Sequence, residues 1–262
     1  MQKLLADLAP QAALFMLIAT RLSAMLAVAP VFSSRMIPVR VKAGLVILVS
    51  YIALPVVAAE GGTVPDGVVG FAILAMKEAL IGFALGLIAQ FLFAAVQTAG
   101  AFIDMSAGFA IAQTLDPASN QSTSVLGRWY NMVAVAAFLA LGGHQLLVQG
   151  VVRSFTLAPP LADPNMGILV AGVLAHADDI LLMVVQIAAP IIAALLVTDV
   201  TLGVISRSVP QMNVFMVGMP LKIIIALGGS AILVPAFIGL MNSLTGRMFT
   251  DMSNLMRAVG AG

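Results

Sequence analysis

The stretch VVGFAILAMKEALIGFALGLIAQFLFAAVQTA, residues 68–99, has Lys77 and Glu78 as its only charged residues and contains no proline. A helix needs about 20 mostly apolar residues to cross the roughly 30 Å hydrocarbon core of a bilayer. At 1.5 Å per residue this segment would run to about 48 Å, so it must tilt, bend or protrude. A helix this long and apolar all round belongs in lipid or in the interior of a large assembly. That reading sets the fold class as all-α.

Working outward, the same signal recurs. Upstream, Ala43–Ala59 is a second span, closed by EGGTVPDG (60–67), and Leu8–Pro30 is a first, followed by the polar turn SSRMIP (33–38). Lys3, an apolar run and Ala27-Val28-Ala29 imitate a secretory signal, but Arg21 interrupts the run and Pro30 follows the apparent cleavage site. The first membrane helix is the better reading. Downstream, Trp129–Val152 is a fourth span without formal charge, and Pro and Asp punctuate 158–166. A short connecting helix is expected before Asp178-Asp179, then a fifth span over Ile180–Thr198. A sixth, over 209–241, is broken by Pro210, Pro220 and Pro235 and carries Lys222. The tail, 242–262, reads as amphipathic and mobile at its end. The expected architecture is therefore a polytopic membrane protein with about six long apolar, partly broken helices. The base-rich loop of Arg35, Arg40 and Lys42 falls on the cytoplasmic side by the positive-inside rule, with the N-terminus outside.

Composition excludes most other classes. The chain is 61% apolar and 9% charged, where ordinary soluble domains carry about 25% charged residues; its mean hydropathy is +1.12. Its 12 Lys and Arg against 11 Asp and Glu leave a net charge of +1. The bases are scattered, so nucleic acid is not an expected partner. There is no cysteine, which removes disulfides, thiolate metal sites and Cys nucleophiles. Only His144 and His176 are present, far apart. No catalytic residues, metal or cofactor are expected, and no Gly-rich phosphate cradle is found. The chain reads as a non-enzyme.

Charges inside apolar segments are costly and need a protein partner, a wet cavity or a route to the interface. The candidates are Arg21, Lys77, Glu78, Asp104, Asp116, Asp199, Arg207 and Lys222. One reading gives them ions or protons to carry, and a self-contained permease or ion-coupled transporter would use Arg21, Glu78 and Asp199. The other makes them contacts between helices or subunits, or snorkelling groups at helix ends. Most carboxylates lie near span boundaries, and no inverted repeat links the two halves, which favours the second. Asp199 and Arg207 are about two helical turns apart, so both could face a neighbouring subunit. Gly82 and Gly86 offer a close helix contact, and the 16 methionines suit a surface that deforms around changing partners.

Residues 100–128, GAFIDMSAGFAIAQTLDPASNQSTSVLGR, are too polar to span well and too apolar for a solvated loop. Glycines (Gly100, Gly108) alternate with bulky apolar groups and with Asp104, Gln113 and Asp116. Two readings stand: a segment that closes a lumen by apolar contact through Phe102, Ile103, Met105, Phe109 and Ile111, or a re-entrant or amphipathic segment packed on its own bundle.

Four stretches, in this order, carry a resemblance: RLSAMLAVAPVFSSRMIPVRVKAGL (21–45), the 100–127 segment, ALGGHQLLVQGVVRSF (140–155) and APIIAALLVTDVTLGVISRSVPQMNVFMVGMPLKI (189–223). Together they closely resemble the FliR/SctT family of type III secretion export-apparatus membrane proteins, over nearly the whole chain. Gly143-His144 and Asp116-Pro117 look more like the flagellar branch than the virulence-injectisome branch. The resemblance implies a core subunit of the flagellar type III protein export gate, forming part of the wall and seal of the channel for unfolded flagellar subunits. It implies a FliP-like helical part over 1–175, including the 100–128 plug-like segment, and a FliQ-like helical hairpin and C-terminal tail over 176–262. The family's plug-like loop falls on 100–122, and DVTLGVISRSVPQMNVF (199–215) on the FliQ-like inter-subunit surface. Implied partners are FliP-like and FliQ-like subunits, FlhB-like and FlhA-like export proteins, the basal-body ring, unfolded cargo and membrane lipid. The implied location is the bacterial inner membrane and flagellar basal body, with part of the core above the membrane plane.

Overall fold

The computed structural model describes residues 2–34, 37–59, 67–109, 124–211 and 213–261, with side chains from residue 10 onward. The described elements are all α-helices. In chain order they are α1 (Gln2–Val28), α2 (Val39–Ala59), α3 (Val68–Ala107), α4 (Val125–Ala140), α5 (Gly143–Leu157), α6 (Met166–Ser208), α7 (Val214–Ile232) and α8 (Val234–Gly260). Among the described residues five helices are long and apolar enough to cross a membrane: Pro10–Val28 of α1, then α2, α3, α6 and α7. The bent pair α4 and α5 makes a sixth if counted as one span. An all-α polytopic architecture of five to six long apolar helices is therefore established.

The helix boundaries follow local chemistry. Pro30 disfavours helical backbone at Ala29, and α1 ends at Val28. Ser124 and Asn213 cap α4 and α7 by accepting from the Gly127 and Met216 amides. The side chain of Asn165 does the same for the Ile168 amide at the start of α6, at 3.1 Å. Pro235 sits in the first turn of α8, where its missing N–H costs nothing.

Four expectations are corrected. The segment from Val68 does not stop near Ala99 but stays helical for 40 residues, to Ala107, because the carboxylate of Asp104 finds partners instead of water. The fourth span is two helices bent by 66°; Gly142, at φ 74°, takes a left-handed turn that only glycine adopts freely. The expected connecting helix and fifth span are one helix of 43 residues, which runs through Asp178-Asp179 because both acids are exposed on it. The sixth segment breaks at Leu233, between α7 and α8, and the tail is a helix whose Met248, Met252, Met256 and Val259 are buried. Methionine side chains at this spacing share one helical face, which anchors the tail.

The chain divides into two compact units, each assembled from separated segments. The first comprises Met1–Phe91, Gly142–Asp178 and Thr245–Gly262; the second comprises Leu92–Leu141 and Asp179–Leu244. In the first unit α1 lies against α2 and α5, around a core of Leu17, Ile18, Met25, Ile81, Leu85, Leu147 and Phe155. Gly82 lets α3 approach α1 closely, since a Cβ there would lie 2.1 Å from the Arg21 carbonyl oxygen. In the second unit the core holds Leu92, Phe93, Ile103, Leu126, Tyr130, Phe138 and Met241. Phe93 meets Phe138, and Tyr130 meets Phe237, each edge to face at 5.3 Å. A Cβ at Gly100 would lie 2.5 Å from Gly127 Cα, so α3 and α4 touch backbone to backbone.

Candidate functional site

In the first unit Arg21 is the centre of a closed polar network. Its Nε donates to Glu78 Oε2 at 2.6 Å and its Nη2 to Glu78 Oε1 at 2.8 Å. This is the bidentate fork that suits guanidinium to carboxylate. Nη1 donates to Ser154 Oγ at 2.9 Å, and Nη2 also donates to the Ala158 carbonyl at 2.9 Å. The guanidinium carbon stands 4.5 Å from the Phe155 ring centroid. Arg21 is 0% exposed and Glu78 1%, so helices α1, α3 and α5 are joined by charges that water does not reach. Desolvating such a pair is expensive, and it is tolerated only when every donor and acceptor is placed. Serine is satisfied as well: Ser154 Oγ donates to the Val151 carbonyl at 2.7 Å.

Lys77, one residue from Glu78, turns outward and pairs with Asp163 in the α5–α6 connection. The Lys77 ammonium, by hydrogen bond and then by charge, holds the Asp163 carboxyl below its ordinary value. On α6, Nδ1 of His176 lies 2.7 Å from the Gly172 carbonyl, and its Nε2 is 3.8 Å from Asp251 Oδ1 on α8.

In the second unit Asp104, on the last turn of α3, is 4% exposed. It accepts from the Ser124 hydroxyl and from the Leu126 amide, the latter at 3.2 Å to both oxygens. Ser124 Oγ in turn accepts from the Gly127 amide at 2.7 Å. The first amides of α4 are orphan donors carrying partial positive charge, and a carboxylate placed there meets both needs. On α6 and α7, Lys222 Nζ lies 2.8 Å from Asp199 Oδ1 and 2.9 Å from Oδ2. This pair borders a cleft of about 390 Å³ lined also by Ala107, Gly108, Leu202, Phe215 and Met219. A second cleft, of about 430 Å³, is wholly apolar and runs along α6 beside Phe102.

The structure thus brings together Arg21 with Glu78 and Asp199 with Lys222. Asp199 pairs with Lys222, and Arg207, about two turns further along the same helix, is exposed in the last turn of α6, where a cation complements the helix dipole. Of the apolar candidates, Phe102 and Met105 are 40% and 62% exposed and Phe109 is half-buried. Ile103 is fully buried within its own unit. Ile111 and Asp116 lie outside the described residues. Sequence reasoning missed Ser124, Ser154, Asp163 and the Ala158 carbonyl. Only Ser124 had a legible signal, as a serine opening an apolar helix. Among the described residues no group of three or more His, Asp or Glu side chains could hold a metal ion.

A family model described as Bacterial export proteins, family 1, matches residues 12–248. The chain is 32% identical over 249 residues to the flagellar biosynthetic protein FliR of Bacillus subtilis, covering 94% of this chain and 95% of the relative. It is 33% identical over 237 residues to FliR of Escherichia coli, covering 90% and 88%. The surface presentation of antigens protein SpaR of Shigella flexneri is 29% identical over 154 residues, 59% of each chain. With a family model matched over most of its length and full-length relatives above 30% identity, the chain belongs to the bacterial export proteins of family 1.

Proposed function

We propose that this chain is a non-enzymatic core subunit of the flagellar type III protein export gate, forming part of the wall and seal of the channel for unfolded flagellar subunits. It is a multi-pass protein of the bacterial inner membrane. The observation that carries the reading is end-to-end similarity: the FliR proteins align over nearly all of both chains, so the likeness extends to the whole set of helices. The site geometry supports a gate over a permease. Arg21, Glu78 and Asp104, the buried acidic and basic side chains among the described residues apart from the histidines, all bond within the chain. Asp199 is matched by Lys222. An ion-coupled transporter needs at least one such group free to bind and release its ion.

On this reading residues 1–175 are FliP-like and 176–262 FliQ-like, and the chain assembles with FliP-like and FliQ-like subunits. FlhB-like and FlhA-like export proteins, the basal-body ring and unfolded cargo are its further partners, and part of the core stands above the membrane plane. The 100–122 segment supplies the seal through Phe102, Met105, Phe109 and Ile111, while Ile103 anchors its helical start. Arg207 and the 199–215 stretch, together with Asp116, serve contacts to neighbouring subunits.

The test is co-expression with FliP-like and FliQ-like subunits, followed by the intact mass of the detergent-extracted complex. A large hetero-oligomer of fixed composition containing this chain is the expected result. A stable lone monomer or homodimer would overturn the gate reading and favour the permease.

A further inference from the structure

Residues 100–109 and 124–127 meet at a place that the seal reading does not itself require. Asp104 is on α3 and Ser124 at the start of α4, yet the two are hydrogen-bonded, and the same carboxylate takes the Leu126 amide on both oxygens. One helical turn earlier on α3, Gly100 faces Gly127 with no room for a Cβ. The two helices are therefore fastened at two successive levels, one by backbone contact and one by a buried carboxylate. Beyond Asp104, α3 ends at Ala107 and the chain turns at Gly108, whose φ of 91° suits glycine. The carboxylate thus sits in the last turn of α3 and binds the first turn of α4.

We infer that Asp104 and Ser124 form a clamp that fixes the two described stems flanking residues 110–123 to each other, making Asp104 a positioning residue for the seal. This rests on the seal reading above for its functional consequence, though not for its geometry. The chemistry is specific to a carboxylate. Asp104 must accept from a hydroxyl and an amide at once, and the electropositive start of α4 favours its negative charge. An asparagine offers one acceptor oxygen and turns an N–H₂ toward donors. A glutamate is one methylene longer and cannot keep both contacts while Gly100 and Gly127 hold the backbones together.

The chain has no cysteine, so spin labels on introduced cysteines meet no competing native thiol. Labels at Ala101 and Val125, both exposed and neither of them a named seal residue, report the separation of the stems in the complex with FliP-like and FliQ-like subunits. A single narrow distance is expected in the otherwise wild-type chain. Asp104→Asn should lose that narrow distribution while the complex still assembles. Ser124→Ala, which leaves the Leu126 amide on Asp104, should broaden it less. Unchanged narrow distances in both variants would overturn the clamp. If Asp104→Asn prevents assembly, Ser124→Ala decides alone: broadening supports the clamp, and an unaltered distance refutes it. Ion leakage through the same complexes separates the two readings. Broadened distances with leakage support both, and broadened distances without leakage uphold the clamp while removing the seal.

Discussion

Replacing Glu78 by Gln keeps the shape of the side chain and removes its charge. The substitution leaves a guanidinium at 0% exposure without the one carboxylate that pairs with it among the described residues. The amide would also turn N–H₂ toward Nε or Nη2, the groups now bonded at 2.6 and 2.8 Å. Breaking one partner of a buried pair costs about 3–5 kcal/mol. The Phe155 ring, 4.5 Å from the guanidinium carbon, offers no new compensation because that contact is already made. The double substitution Arg21→Leu with Glu78→Leu removes both charges. What it leaves is the Ala158 carbonyl without its donor, a loss of about 1–3 kcal/mol, since Ser154 keeps its bond to Val151. The double variant should therefore be more stable than the Glu78→Gln single, reversing the usual ranking of one change against two. Unfolding in mixed micelles of increasing denaturing-detergent fraction, followed by helical circular dichroism, reads the order directly. A Glu78→Gln cost below about 1 kcal/mol, the range of exposed pairs, would refute the account by showing that water or lipid headgroups reach the pair. A double variant less stable than the single would refute it too.

Other consequences can be checked more briefly. Gly82→Ala would put a Cβ 2.1 Å from the Arg21 carbonyl and force α1 from α3. An overpacking cost of about 1–3 kcal/mol is expected, read as reduced yield of folded chain, and wild-type yield would refute the contact. Phe109→Ser should raise the ion leakage of membranes carrying the assembled gate without lowering complex yield, and unchanged conductance would remove Phe109 from the seal. Because Lys77 lowers the Asp163 carboxyl, their link contributes fully above the unperturbed value of 3.8 and is lost as pH falls through the depressed one. Asp163 is fully exposed, so the effect is small and salt-sensitive. Lys77→Met should bring the Asp163 titration back to the ordinary range in isotope-edited infrared spectra, and an unmoved midpoint would contradict the pairing.

How much of this was legible varied with the kind of residue. The six apolar stretches were plain because lipid and apolar protein interiors select the same side chains over the same lengths. Arg21 and Glu78 each stood out as costly, yet nothing in their spacing paired them, since they lie on different helices and meet only through the fold. Asp104 stood in a segment too polar to span well and too apolar for a solvated loop. Its carboxylate is instead consumed by the start of α4, a partner whose amides carry no side-chain signature. Gly142 ends a helix where hydropathy is continuous, because φ and not polarity breaks it. Gly82 was marked as a close-contact position by its neighbour Gly86, and the approach of α1 is what makes that small size matter. The role of Ser154 was hidden because a single hydroxyl in an apolar helix usually bonds its own backbone, as Ser154 also does.

Hydropathy also concealed a division that the structure makes visible. Helices α2, α3 and α7 all qualify as spans, but 61% of the α3 window is buried inside the chain against 17% for α2 and 17% for α7. The 40 residues of α3 are thus spent largely on the chain's own interior. The others present Ile47, Leu48 and Ile52 on α2, and Met216, Ile224 and Ile232 on α7, outward. Exposing such surface to water would cost about 25 cal/mol per Å², so these faces must meet something apolar, either lipid or the helices of neighbouring subunits. A count of apolar stretches adds the two destinations together and cannot say how many cross the bilayer. The buried charges are more informative. Arg21 is satisfied by groups of its own chain, so its energy is nearly indifferent to whether α1 stands in lipid or above it. A transporter needs its charges tied to a fixed depth in the field of the membrane, whereas a subunit of a closed protein wall does not, and the internal bonding of Arg21 and Glu78 fits the second requirement.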